Sequence, residues 1–119
     1  MHIDKDLVAA SSTPLVLAIL TEGESYGYAI LKRVRELSDG EIEWTDGMLY
    51  PLLHRLQRLG YVTTEWRTPD AGRRRKYYAI TDAGREALEE HQRQWLTVAR
   101  ALGDLWNGRG GLMSALGEA

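Results

Sequence analysis

Apolar residues recur at helical spacing in four stretches of this chain and alternate with polar ones in two more. Residues 1–12 read as a lead segment. Thr13-Pro14 then carries a helix start, with Thr13 as N-cap and Pro14 at the first helical position. The apolar run Leu15 to Leu20 follows and stops at Glu22-Gly23. Ser25 caps a second helix, expected from Tyr26 to about Ser38. Gly27, Ile30, Leu31, Val34 and Leu37 share one of its faces, and Tyr28, Lys32 and Arg35 share another. Asp39-Gly40 ends it.

After a short extended piece, Thr45 caps a third helix reaching about Leu59. Leu49, Leu52, Leu53, Leu56 and Leu59 form its apolar stripe, while Gly47, Tyr50, Pro51, His54 and Arg58 point broadly the opposite way. Pro51 suits only a first turn, so the well-formed start is expected close to Gly47. Tyr61 to Trp66 is aromatic and β-branched and reads as a strand; Thr68 to Gly72 has turn chemistry; Lys76 to Ile80 returns as a second strand. One of Tyr77 and Tyr78 belongs to the core by alternation, and Trp44 and Trp66 are expected to pack the sheet against the helices. Thr81 caps a fourth helix from Asp82 to about Trp106. Asn107-Gly108-Arg109-Gly110-Gly111 breaks it and opens a flexible tail over residues 107–119.

Composition narrows the function classes. The 119 residues suit one domain, and with no cysteine there is neither a disulfide framework nor a thiolate site. The three histidines, His2, His54 and His91, are scattered, and no phosphate-cradling glycine loop, paired-histidine spacing or nucleophile elbow occurs. The expectation is a non-enzyme with no cofactor and no metal site. The N-terminus lacks a signal-peptide pattern and no apolar run approaches membrane-spanning length, so a cytoplasmic protein without membrane contact is expected.

Net charge is −2, yet the charge is unevenly spread. Between His54 and Tyr78 stand Arg55, Arg58, Arg67, Arg73, Arg74, Arg75 and Lys76 against only Glu65 and Asp70. Phosphate binding depends on such a local basic surface and not on the whole-chain balance.

Three helices followed by a β-hairpin is the order of a winged helix-turn-helix, an α+β fold that is mainly α. The third helix would enter the major groove while the hairpin, a two-stranded wing, reaches along the backbone. Gly47 lets the helix N-terminus approach DNA, Tyr50 and His54 offer donors, Arg58 lies further along, and Arg73 to Lys76 neutralise phosphates. Tyr28, Lys32 and Thr45 join the candidate contacts. Taken alone, His54 also reads as an ordinary surface histidine.

The block Gly47-Met48-Leu49-Tyr50-Pro51-Leu52-Leu53-His54-Arg55-Leu56 resembles the recognition helix of PadR-family transcriptional regulators. The resemblance continues through Tyr26-Gly27-Tyr28-Ala29-Ile30, Gly60-Tyr61, Trp66, Gly72 to Tyr78 and Ile80-Thr81-Asp82-Ala83-Gly84, covering roughly residues 10–106. It implies a sequence-specific DNA-binding repressor acting on a palindromic operator. Met48 departs from the pattern, since the family usually carries a small hydroxyl residue there. The single C-terminal helix resembles the short subfamily.

In that fourth helix Leu88, His91, Trp95, Val98, Leu102 and Leu105 follow one another at spacings of three and four, a heptad seam. Pairing with a second copy would bury it, making residues 82–106 a dimerisation helix after a DNA-binding domain over 13–81. Packing back on its own domain is the alternative. Pro14 to Leu20 are a further candidate for the dimer contact. Trp95 stands where short multidrug-responsive relatives carry a tryptophan facing its symmetry mate. The resemblance therefore implies a planar aromatic effector stacked between two indoles; dimer core is the other reading of Trp95. A second function class is a winged-helix module that binds protein and not DNA, against which the four adjacent cations argue.

Overall fold

The computed structural model describes residues 1–106, so the tail expected over residues 107–119 lies outside them. The chain divides into two units, one ending at Leu88 and the other beginning at Glu89. The first is a winged helix. Its elements run α1 (Lys5–Thr21), β1 (Ser25–Tyr26), α2 (Gly27–Leu37), α3 (Asp46–Arg58), β2 (Val62–Arg67) and β3 (Arg75–Ile80), followed by the opening turns of α4 (Asp82–Trp106).

The first helix begins at Lys5, well before Thr13. The Asp4 carboxylate caps it by accepting from the Asp6 amide at 2.8 Å, and Pro14 lies inside it. An internal proline forfeits one backbone bond, here to the Ala10 carbonyl. The helix persists because Val8 and Ser12 upstream pack with Val16, Leu17, Ile19 and Leu20 downstream on the same side. Those last four are buried in the core of this chain, while Pro14, Leu15 and Ala18 on the same stretch remain partly exposed.

Ser25 does not cap α2. It forms β1 with Tyr26, pairing antiparallel with Tyr78 and Tyr77 on the free edge of β3, so the sheet has three strands in the order β1-β3-β2. Thr45 does cap α3, accepting from the Met48 amide at 3.2 Å. Pro51 lies a full turn inside α3, where its missing amide frees only the Gly47 carbonyl at an exposed position. Leu49, Leu52, Leu53 and Leu56 are buried as expected, whereas Leu37 and Leu59, at the C-terminal ends of their helices, are half exposed.

In the sheet, Tyr78 is the core tyrosine at 1% exposure and Trp44 is buried. Trp66 is not: it lies on the wing, 53% exposed, beyond the point where the sheet leaves the helices. The start of α4 is fixed to the turn after α3. The Thr81 hydroxyl donates to the Gly60 carbonyl at 2.6 Å and accepts from the Gly84 amide at 3.0 Å. A Cβ at Gly84 would overlap the Tyr61 carbonyl. Leu88 closes this unit by entering its core at 6% exposure, whereas the later positions of the heptad series, from His91 on, lie in the second unit.

The second unit carries α4 onward to Trp106. His91 and Trp95 are half-buried, while Val98 and Leu105, one and two heptad steps on, are 51% and 83% exposed.

Candidate nucleic-acid interface

The polar arc of α3 faces two neighbourhoods. Along one edge Tyr50 and His54 line a cleft of about 680 Å³ shared with the wing, where Tyr28, Trp66, Arg73, Arg74, Arg75 and Lys76 also stand. Along the other, Met48, Pro51, Arg55 and Arg58 border a groove of about 620 Å³ beside the first turns of α1. At 3.6 residues per turn, Gly47, Tyr50, Pro51, His54 and Arg58 spread over an arc of about 100°, wide enough to divide between the two. Arg58 therefore stands apart from the Tyr50–His54 group. Met48 packs against the core from the α1 side, away from the wing cleft.

The remaining expected residues scatter around this centre. Gly47 is exposed, and a Cβ there would meet the Thr45 hydroxyl at an ordinary contact distance of 3.8 Å. Tyr28, at the start of α2, is 64% exposed and faces the cleft. Lys32, one turn on, lies in a separate shallow hollow with Glu22 and Glu36. Thr45 serves α3 as its cap.

Tyr50 is held by α2. A Cβ at Gly27 would overlap its hydroxyl and lie 2.8 Å from its Cζ, so the bare Gly27 backbone is what lets the hydroxyl end of the phenol approach α2. Burial pushes the Tyr78 phenol above its ordinary value, with the nearby Tyr50 adding to the shift.

The strand alternation sorts the wing cations onto opposite sheet faces. On the face that Tyr78 shares with the core, Trp66 is paired across the hairpin with Lys76, and the Arg74 guanidinium covers the Trp66 ring at 4.7 Å. On the other face Arg75 lies over Tyr26 at 4.3 Å and Arg67 over Tyr77 at 4.7 Å, with Tyr26 and Tyr77 edge-to-face at 5.5 Å. Arg67 is also gripped by Glu24 and by Glu65, the latter at 3.2 Å. Its hydrogen bond holds the Glu24 carboxyl below the usual carboxylate range. Among the described residues no carboxylate pairs with Arg73, Arg74, Arg75 or Lys76. Four cations thus remain uncompensated beside the exposed face of α3.

Trp66, Tyr26 and Glu24 are the contributors that sequence reasoning missed as site residues. The hairpin register, which sets Trp66 opposite Lys76, is the signal that would have found Trp66. Among the described residues no group of three or more His, Cys, Asp or Glu is placed to hold a metal ion, and none of the helices is long and apolar enough to cross a membrane.

Residues 16–90 match the transcriptional regulator PadR-like family. A transcriptional regulator of Mycobacterium tuberculosis is 44% identical over 66 residues, which is 56% of this chain and 61% of that protein. The transcriptional regulator YqjI of Escherichia coli is 32% identical over 80 residues, 67% of this chain but 37% of its own length. Among solved structures, the PadR-like transcriptional regulator of Bacillus cereus superposes with a TM-score of 0.76 at 28% identity, covering 88% of this chain and 100% of that one.

Proposed function

This chain belongs to the PadR-like family of transcriptional regulators, and we propose that it is a sequence-specific repressor that binds palindromic duplex DNA as a homodimer and is released by a small aromatic ligand. The observation that carries the DNA-binding reading is the cleft that joins the polar edge of α3 to four cations free of carboxylate partners. A helix one major groove wide presents Tyr50 and His54 to base edges or phosphates, while the wing supplies charge that releases counterions from the backbone. The reading divides the work: the wing provides affinity that ignores sequence, and α3 provides discrimination.

The test is a set of binding titrations over a salt series, on duplexes selected from a random pool and on unselected ones. Replacing Arg73, Arg74 and Arg75 together with alanine should weaken both duplex classes by similar factors. The salt slope should become shallower by about 0.9 for each phosphate that is no longer neutralised. Tyr50→Phe and His54→Ala should weaken the selected duplex by about 1 kcal/mol each and leave unselected DNA nearly unaffected. A wild type that fails to bind any duplex at low salt sinks the reading and leaves the protein-binding winged-helix module in its place.

A further inference from the structure

We propose that Trp66 is a positioning residue of the DNA interface, holding the Arg74 guanidinium over the cleft between wing and α3. This rests on the DNA-binding reading above and extends it to a residue that the core does not need. Trp66 is a large indole left 53% exposed on a wing strand, outside the hydrophobic core. One face of its ring is covered by Arg74 at 4.7 Å, and both residues line the cleft that Tyr50 and His54 enter from α3.

The contrast with Arg67 gives the arrangement its meaning. Arg67, on the same strand as Trp66 but on the opposite sheet face, is held by two carboxylates. A carboxylate orients a guanidinium but cancels its charge and competes with phosphate for the same donors. An aromatic face orients it through the ring quadrupole and leaves the edge N–H groups and the full positive charge available. Phosphate can then be met by an arginine already restrained, which reduces the side-chain entropy lost on binding. The wing therefore adds ion pairing to ring contact where it must be anchored, at Arg67, and leaves ring contact alone at Arg74, where it must remain cationic.

The experiment is a double-mutant cycle on full-length protein, with duplex affinity measured for wild type, Trp66→Leu, Arg74→Ala and the double variant, and with Trp66→Phe as the conservative replacement. Trp66→Leu should weaken binding about 3- to 10-fold. In the Arg74→Ala background the same change should cost less than about twofold, because the group through which Trp66 acts is gone. Trp66→Phe should recover most of the affinity. Thermal melts of each variant separate these outcomes from loss of fold, and the phenylalanine variant keeps the test informative if the leucine variant melts early. Equal costs of Trp66→Leu with and without Arg74, or no cost at all, would overturn the role of Trp66 while leaving DNA binding intact. Absence of binding by the wild type would overturn the parent reading and this one with it.

Discussion

Tyr50 ties the polar edge of α3 to α2, and it does so through the absence of a side chain at Gly27. The phenol is 40% exposed on its cleft side, and its other side rests where a Cβ would lie. Gly27→Ala should therefore push Tyr50 out of its seat and cost about 1–3 kcal/mol, the usual range for forcing a methyl into filled space. Removing the ring with Tyr50→Ala should absorb most of that cost, so that the two changes are strongly non-additive in urea melts. Simple addition of the two losses would mean that α2 and α3 are spaced by something other than this contact. From the sequence Gly27 reads as one more small position on the apolar face of α2, and Tyr50 as a polar-face donor. Their proximity is a tertiary fact that neither period contains. Met48 is similar: its place in the recognition block suggests the DNA side, whereas the rotation of α3 turns it towards α1.

The helices were legible because each carries apolar residues at helical spacing, and caps at Thr45 and Thr81 mark the starts of α3 and α4 in local chemistry. The failures have local causes too. Proline at position 14 imitates a helix start, yet one lost hydrogen bond is outweighed by the burial of residues on either side of it. Two-residue β1 has no period to read and exists because β3 offers it an open edge. That added strand brings Glu24 within reach of Arg67 and ties the outer end of β2 to the loop after α1. Because Arg67 lowers the Glu24 carboxyl below its ordinary 4.5, the carboxylate contributes stability fully present above that value. The contribution is lost as pH falls through the lower value of the folded state. Glu24→Gln should thus flatten the acid limb of the stability curve below about pH 4.5 and leave wild type and variant converging at the lowest pH. The effect is small, since both partners are open to solvent, and added salt should shrink it further. Acid limbs that coincide at all pH values would show that the pair does not anchor the wing.

At the scale of the whole molecule, α4 continues beyond Leu88 with an apolar series of its own. That residue belongs to the winged-helix core, so the heptad positions that continue beyond it are His91, Trp95, Val98, Leu102 and Leu105. Val98 and Leu105 lie largely exposed among them, and aliphatic groups at heptad spacing are buried most economically by another helix of the same kind. In a two-fold dimer each seam residue meets its own copy or a near neighbour, so one tryptophan supplies two indoles. A flat aromatic compound between two copies of Trp95 would cover both of its faces at little conformational cost. Such a compound releases DNA only if it favours the free form of the dimer, since equal affinity for both forms shifts nothing. Titration with acridine or bisbenzimide dyes should quench the intrinsic fluorescence of the wild type at micromolar concentration, with one dye per dimer. Trp95→Ala should remain dimeric by light scattering and lose most of the binding, and bound dye should lower the affinity of the wild type for its selected duplex. A Trp95→Ala dimer that binds dye as well as the wild type would make Trp95 part of the dimer core alone. A wild type that stays monomeric at tens of micromolar would remove the seam itself from the account.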